Sequence, residues 1–265
     1  MISLVVEVLI APALVGFSTF AGWRWSTRLG GLISAFPAVI GPVLLISAHE
    51  RGEAFAAHAA NGTMLGLAAL GAFVVTYGWV ALRAQWWVSV VLAWVSAALL
   101  GVLVGWSAGG LGFPAGLCVA ILSLTLAYVA MPASQARAGT GYRAGSRKDG
   151  VAARMMLTAV MVVLLATTAE LFGPLVGGML AALPILTSIL AVFTHHQEGS
   201  DAVVQLLRGM LTGMAGFVGF CAVMAVLIVP AGVVAAFGAA TAVAIGLQAL
   251  AFVPGLTIAR QAARL

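Results

Sequence analysis

Few residues in this 265-residue chain have the types and spacing that chemistry needs. The densest group is His195-His196-Gln197-Glu198 with Asp201, whose imidazoles and carboxylates could ligate a metal ion. It lacks a further ligand cluster and the spacing of a known metal site, so a solvated loop is the better interpretation. The sequence also has no Gly-rich phosphate loop, no Ser/His/Asp set and no pair of acids suited to general acid–base catalysis. We therefore predict no metal, no cofactor and no enzymatic activity.

A second set of polar residues occurs as two similar pairs. His58 and Asn61 are three positions apart, and so are Gln205 and Arg208, so each pair lies on one face of a helix. Each pair precedes a Gly-x-x-x-Gly pattern, which favours close contact between helices: Gly62 to Gly66 and Gly209 to Gly213. The pairs are interpreted either as helix starts solvated by water and headgroups, or as residues guarding the two mouths of a pathway.

Glycine and proline form a third element, which also occurs twice. The first copy has Gly30, Gly31 and Pro37, and the second has Gly177, Gly178 and Pro184. Each proline removes a helical hydrogen bond near the middle of an apolar segment, and Thr187 and Ser188 could bond to the freed carbonyl groups. Interrupted helices at corresponding positions are typical of a midplane binding site in a secondary transporter. An ordinary proline kink that helps packing is the alternative.

These elements share one register, because the two copies align at a constant offset of 147 residues. The register continues without a gap through three further identical pairs: His49 and His196, Gly52 and Gly199, Phe73 and Phe220. Apolar composition alone would not place glycine and proline in register. A duplicated helical unit is the usual sequence trace of a transporter fold.

The composition indicates the solvent in which these elements fold. Hydrophobic residues make up 63% of the chain and charged residues 7%, with a mean hydropathy of +1.16. Such a chain cannot present a water-compatible surface, so we predict an all-α integral membrane protein. Apolar segments near the spanning length of roughly 20 residues predict nine helices, at about 2–20, 29–48, 59–81, 86–106, 112–131, 153–170, 173–193, 204–229 and 231–253.

Ionisable residues are scarce within these spans. Glu7 lies a turn or two inside the first span, and Glu170 sits at the end of the sixth. A carboxylate in lipid is costly and therefore a functional candidate, and Glu7 is the better of the two. Gln248 is the most buried long polar side chain expected in the ninth span.

The basic residues predict the orientation. With nine spans, eleven of the twelve Lys and Arg residues fall on one side of the membrane, and only Arg51 falls on the other. Since cytoplasmic loops accumulate positive charge, the N-terminus is expected outside and the C-terminus in the cytoplasm, in an inner membrane of bacterial type. The net charge of +5 thus reflects topology, and nucleic-acid binding is not expected.

The same count predicts how the two copies are related. Spans one to four align with spans six to nine, while span five has no counterpart, so equivalent helices cross the membrane in opposite directions. The predicted architecture is a 4+1+4 inverted repeat. Its parts are a first repeat over 1–108, a linker helix with a basic loop over 109–150, and an inverted second repeat over 151–265.

Residues 31–37 and 50–55, with the sequences Gly-Leu-Ile-Ser-Ala-Phe-Pro and Glu-Arg-Gly-Glu-Ala-Phe, resemble the small four-helix inner-membrane GlpM-like family. The match covers about 29–66. The second half departs from the pattern, since it has Leu183-Pro184 for Phe-Pro and Gln197-Glu198-Gly199 for Glu-Arg-Gly. The resemblance implies a fused duplication of a four-helix unit. It implies no substrate and assigns no binding residue.

Together these observations predict an inner-membrane transporter or exporter that works by alternating access, with a substrate pathway bounded by helices two, three, seven and eight. Lack of fixed central charge favours a neutral, amphipathic or lipid-like solute. The expected partners are the lipid bilayer, that solute and, as an option, further copies of the chain. The alternative is a non-catalytic membrane scaffold that binds partner helices through glycine-rich faces.

Overall fold

The computed structural model describes residues 16–17, 20, 26–37, 40–107, 111–133, 156, 160 and 184–262, without the side chains of residues 46 and 252–262. The predicted first and sixth spans fall largely outside these residues, as does the basic loop. Glu7, Gly177 and Gly178 also lie outside the described residues.

Across the described ranges the chain is helical and contains no strand. The helices are α1 (Thr27–Ser34), α2 (Ile40–Arg51), α3 (Glu53–Ala81), α4 (Trp86–Ser107), α5 (Phe113–Ala130), α6 (Ile185–Glu198) and α7 (Ser200–Ala262), the last of which breaks at Gly232. Four segments are long and apolar enough to cross a membrane, namely α3, α4, α5 and the Ser200–Ala251 part of α7. These apolar helices suggest a membrane protein.

Several predicted boundaries are wrong by about a turn. The third span is expected from residue 59 and the eighth from 204, but α3 begins at Glu53 and α7 at Ser200. His58 and Asn61 therefore lie inside a helix. The His195 to Glu198 group forms the last turn of α6, where a loop was expected. Hydropathy marks where the sequence stops being apolar. The helix itself can continue beyond that point, until a residue leaves the helical backbone conformation.

Glycine makes those breaks. Gly52 separates α2 from α3 with a φ of 93°, and Gly199 separates α6 from α7 with the same φ of 93°. Gly232 has a φ of 80° and divides α7 into residues 200–231 and 233–262. A side chain at such a φ is strained, so glycine is the residue that permits each break.

The helix α3 lies at the centre of the described structure. In its most apolar window 72% of the residues are buried, against 17% for α4 and 22% for α5. It packs against α2, α4, α5 and α7. The outer faces of α4 and α5 expose large apolar side chains, among them Leu99, Trp106 and Val129. Apolar faces of this size are compatible with lipid rather than water.

Small residues spaced four apart let the peripheral helices pack closely. Ser89, Ala93 and Ala97 of α4 are fully buried, as are Ala236, Ala240 and Ala244 of α7. Such small residues allow helix backbones to approach one another in membranes. The two sets of positions are related by the 147-residue offset.

Contacts at the two ends of α5 show which helices run parallel and which run antiparallel. The Asn61 side chain, near the start of α3, bonds to Leu111 just before α5, and Gly78, near the end of α3, lies against Met131 just after α5. These two helices are therefore parallel. In contrast, Arg208, near the start of α7, bonds to the carbonyl of Met131. Residues 200–231 therefore run antiparallel to α3.

The contacts also define two ends of the molecule. One, which we call the arginine end, holds Arg28, Arg83 and Arg208. There the carbonyl of Arg28 lies beside Gly209 and the ring of Trp86 meets that of His196. The opposite end, which we call the Gly52 end, holds Gly52, Glu53 and Gly232.

Candidate functional site

The first interruption separates α1 from α2. The hydroxyl of Ser26 accepts a hydrogen bond from the amide of Leu29 and so caps the start of α1. The helix ends at Ser34, whose hydroxyl donates to the carbonyl of Gly31 at 2.6 Å. Residues 35–37 are non-helical, and α2 resumes at Ile40. The interruption predicted at Pro37 is thus present, and Gly30, Gly31 and Pro37 are all buried.

Pro184 immediately precedes α6 and has a ψ of 46°, and the residues that precede Pro184 lie outside the described ranges. The carbonyl of Pro184 accepts from both the amide and the hydroxyl of Ser188. The hydroxyl of Thr187 instead reaches the sulfur of Met210 at 3.3 Å. The carbonyl that Pro184 would free belongs to residue 180, outside the described ranges, so the role predicted for Thr187 and Ser188 stays a prediction.

Residues near Pro37 and Pro184 meet one turn of α7, residues Met210 to Gly213, which we call the site turn. On one side, a Cβ added at Gly213 would lie 2.9 Å from the Cβ of Ala35. On another, Met210 receives the Thr187 hydroxyl. The structure thus brings Ala35, beside the interruption predicted at Pro37, and Thr187, in the first turn after Pro184, to the same turn of α7.

Glycine makes this approach possible. A Cβ added at Gly31 would overlap the carbonyl oxygen of Leu206, and one added at Gly209 would overlap that of Arg28. A Cβ at Gly213 would lie 2.5 Å from the carbonyl oxygen of Leu32. The backbones of α1 and α7 are therefore in direct contact. The expected close packing at the second Gly-x-x-x-Gly pattern is confirmed.

A further polar group at the site turn is Gln248. Its side-chain amide donates to the carbonyl of Gly213 at 3.2 Å, and its Cγ would lie 2.7 Å from a Cβ at Gly216. Sequence reasoning identified Gln248 as a buried polar residue but did not place it at this site. The sequence carries a signal for this contact. At the 147-residue offset, Gln248 corresponds to Gly101 and Gly216 corresponds to Ala69, and Gly101 and Ala69 are also in contact.

The polar residues of the two pairs lie away from the site turn, and two of them hold opposite ends of α5. The side chain of Asn61 is only 7% exposed and donates to the carbonyl of Leu111 at 3.0 Å. Arg208 is half-buried, donates to the carbonyls of Pro132 at 3.0 Å and Met131 at 2.8 Å, and lies over the ring of Tyr128. Both contacts join distant parts of the chain.

The other members of the two pairs are His58 and Gln205. His58 is exposed, and its Nδ1 lies 2.7 Å from the carbonyl of Ala54 in its own helix. Gln205 is half-buried one turn before Arg208. The hypothesis that His58 and Arg208 guard two mouths stays a prediction, although Arg208 does lie at a junction between helices.

An aromatic group at the arginine end was missed by sequence reasoning. Tyr77 is fully buried between Phe73 and His195, and Phe73 also meets Trp94 edge-on. The hydroxyl of Tyr77 lies 3.5 Å from Nδ1 of His195. Burial, with a smaller contribution from the charge of His196, lowers the pKa of His195 below its ordinary value. No local pattern could reveal this pair, because its members are 118 residues apart.

The charged residue nearest the site turn along α7 is Arg208, two residues before it, whose carbonyl accepts from the hydroxyl of Thr212. Every described carboxylate lies within two residues of Gly52 or Gly199, namely Glu50, Glu53, Glu198 and Asp201. In the described ranges no three His, Cys, Asp or Glu side chains are grouped so as to hold a metal ion. The polar groups described around the turn are hydroxyls, an amide and backbone carbonyls.

Comparison with known proteins identifies no relative. No family model matches the chain, and neither a curated protein nor a solved structure matches it.

Proposed function

We propose that the chain is a secondary transporter of a neutral, amphipathic or lipid-like solute, and that the solute binds at the site turn. The observation that carries this proposal is that Ala35, in the interruption after α1, and Thr187, in the first turn of α6, both contact one turn of α7. Broken helices leave backbone groups available to a solute at a depth where continuous helices would hide them.

The depth of the site turn constrains this proposal. Met210 to Gly213 lies about 3 to 8 Å beyond Arg208 along α7 at 1.5 Å per residue. In a hydrocarbon core roughly 30 Å thick, the turn would therefore sit within the apolar layer and nearer to the arginine end than to the opposite end. Alternating access would require movements of the surrounding helices that open the turn to the opposite end.

The paired features support an inverted repeat of nine spans, which we propose as the complete architecture. The breaks at Gly52 and Gly199, the buried small residues of α4 and α7, and the contacts of Asn61 and Arg208 all recur at the offset of 147. The helices α3 and 200–231 are antiparallel, as an inverted repeat requires. Two similar halves in opposite orientations provide two related conformations, one open to each side.

We further propose that the arginine end faces the cytoplasm in an inner membrane. Arg28, Arg83 and Arg208 all lie there, and Trp79, Trp86 and Trp87 are exposed beside them. Basic residues favour the cytoplasmic side, and tryptophan favours the interface. We also propose that the four-helix unit derives from one like that of the GlpM-like family, which residues 31–37 and 50–55 resemble.

A direct test is a thermal-shift screen of neutral and amphipathic solutes on the purified full-length protein in lipid nanodiscs. A solute that binds the folded state raises the melting temperature. For such a solute, Thr187→Val should weaken binding about 2- to 10-fold if the hydroxyl contributes one hydrogen bond. Thr125→Val, on the exposed face of α5, is the matched control and should leave binding unchanged.

Flux measurements in proteoliposomes complete the test. Replacing both Pro37 and Pro184 by alanine should reduce the flux of the same solute, because the interruptions would become more helical. Unchanged solute affinity in Thr187→Val together with unchanged flux in the double proline variant would refute the proposed site. Labelling of Arg83→Cys and Glu53→Cys in a background without Cys118 and Cys221 should show them on opposite sides of the membrane.

The scaffold alternative uses different residues. Gly31, Gly209 and Gly213 already pack against backbone carbonyls of other helices in the same chain, so they do not offer a surface to partner helices. Gly238 and Gly246 are exposed on residues 233–262 and have no neighbouring atom within 4 Å of an added Cβ. If the protein is a scaffold, Gly238→Leu and Gly246→Leu should disrupt its assembly, whereas a transporter should retain solute binding in both variants.

A further inference from the structure

The helix α6 is a short rod with a break at each end. Pro184 precedes it, and Gly199 follows it with a φ of 93°. Its 14 residues span about 21 Å at the usual helical rise. The first turn holds Thr187 against the site turn, and the last turn holds His195 against α3. Movement at one end of such a rod is transmitted to the other end.

The far end of the rod is held by the contact between His195 and Tyr77. The hydroxyl of Tyr77 is fully buried, and its described hydrogen-bond partner is Nδ1 of His195 at 3.5 Å. The two rings meet edge-on with centroids 5.9 Å apart. Beside them, His196 meets Trp86 in the same way at 6.0 Å. These ring contacts attach the last turn of α6 to α3 and α4.

The chemistry of this contact depends on one proton. When the imidazole is neutral and Nδ1 is unprotonated, Nδ1 accepts the hydroxyl proton of Tyr77. A proton added at Nδ1 reverses this hydrogen bond, because Nδ1 then donates to the oxygen of Tyr77, and it places a positive charge in a partly buried position. The hydroxyl proton of Tyr77 would then lack an acceptor in a buried position, which is unfavourable. Protonation of His195 therefore weakens the attachment of α6 to α3.

Burial and the charge of His196 both oppose protonation of His195. His196 and Glu198 lie on α6 itself, Asp201 and Arg208 on α7, and Tyr77 and Arg83 on or just after α3, whereas the contact from α4 is the uncharged Trp86. Of these groups, the charge of His196 lowers the pKa of His195, after the larger effect of burial. The resting state at neutral pH is thus the neutral imidazole held against Tyr77.

We propose that His195 is a proton-binding site that controls the contact between α6 and α3, and that proton uptake there releases the rod whose other end forms the solute site. The inference rests on the proposed transport function, because it names a proton as the ion that regulates or couples the same site. The added proton forms an N–H bond at Nδ1, and the hydrogen bond from Tyr77 is the interaction that is lost.

The first half of the chain lacks an equivalent group. The position that corresponds to His195 at the 147-residue offset is Ala48, which is buried at the end of α2. His49 corresponds to His196 and is exposed. The proton site is therefore single and belongs to the arginine end, which distinguishes the two halves of an otherwise similar pair.

The experiment measures the α6 to α3 distance as a function of pH. Spin labels are placed at Arg83→Cys and Gln197→Cys in the full-length chain without Cys118 and Cys221, reconstituted in nanodiscs. Distances are measured by double electron–electron resonance between pH 8 and pH 4.5. The expected result is a second, longer distance that gains population in one titration step, with a midpoint below the ordinary histidine value of 6.5.

Four variants decide the outcome. His195→Gln should hold the distance independent of pH, His195→Arg should populate the longer distance at pH 8, and His58→Gln, an exposed control, should behave as the parent. Tyr77→Phe should shift the midpoint upward, because the donor that favours the neutral imidazole is gone. A parent distance that does not change with pH, or a change that persists in His195→Gln, would overturn the proposal. Neither result would affect solute binding in the thermal-shift screen, so the two proposals fail separately.

Discussion

Gly52 and Gly199 adopt the same left-handed backbone conformation, with φ of 93° at both, at positions 147 residues apart. Each ends a helix that begins after a proline, and each is followed at once by a long helix that enters the core. The φ and ψ values of 93° and 161° at Gly52, and 93° and −179° at Gly199, lie in a region that is essentially restricted to glycine.

Replacement of either glycine by alanine should destabilise the protein through the backbone alone. No atom lies within 4 Å of a Cβ at Gly52 or Gly199, so no steric contact is lost or made. The expected cost is about 1–3 kcal/mol for each variant. The free energy of unfolding in mixed micelles is the measurement. Gly238→Ala is the matched control, since it is equally uncrowded but helical, and it should be neutral or slightly stabilising.

Gly209→Ala should destabilise for the opposite reason, because its backbone is normal and its surroundings are crowded. The added methyl group would overlap the carbonyl oxygen of Arg28, which belongs to a backbone and cannot rotate away. Because the methyl group would push α1 away from α7, the free energy of unfolding should fall by about 1–3 kcal/mol or more. The melting temperature in nanodiscs measures this cost. A variant as stable as the parent would show that the two helices are not in close contact.

Arg208→Ala should loosen the end of α5. Two hydrogen bonds from the guanidinium group to Met131 and Pro132 would be lost. Because the side chain is half-buried, we expect a modest cost of about 1–2 kcal/mol. Arg208→Lys should recover only part of it, since an ammonium group cannot reproduce the planar fork. Hydrogen exchange at the end of α5 measures the effect, and Arg83→Ala, an exposed position, serves as the control.

Stability should also fall at acidic pH through His195. Its pKa is lowered in the folded state, so between that pKa and the ordinary value of 6.5 the unfolded chain binds more protons than the folded one. The contribution is fully present above pH 6.5 and is lost as the pH falls towards the folded-state pKa. Thermal unfolding between pH 8 and pH 5 should show this slope, and His195→Gln should flatten it. An unchanged slope in that variant would assign the effect to other groups.

Sequence reasoning located the breaks of this fold better than its contacts. Pro37 and Pro184 were predicted as interruptions because proline acts on the backbone at its own position, whereas Gly52 and Gly199 were noted only as identical residues at the same offset. Helix ends beyond the apolar segments were placed wrongly at residues 59 and 204. There the helix continues outside the segment that hydropathy detects.

Contacts between distant residues were not predictable from local patterns. The i, i+3 spacing placed Asn61 and Arg208 on the correct faces, yet nothing in that spacing reveals that both reach α5. His195 was dismissed with a solvated loop because its neighbours are polar in sequence, while its partner Tyr77 lies in an apolar segment. Such pairs become visible only when the helices are placed beside one another.

The helix α5 gives the two related halves unlike electrostatic surroundings. Asn61 and Arg208 both donate to backbone carbonyls, Asn61 just before the first turn of α5 and Arg208 just after its last turn. A helix carries a dipole that is positive at its start and negative at its end. The cationic guanidinium of Arg208 thus lies at the end of α5 that favours a cation, and the neutral amide of Asn61 lies at the end that disfavours one.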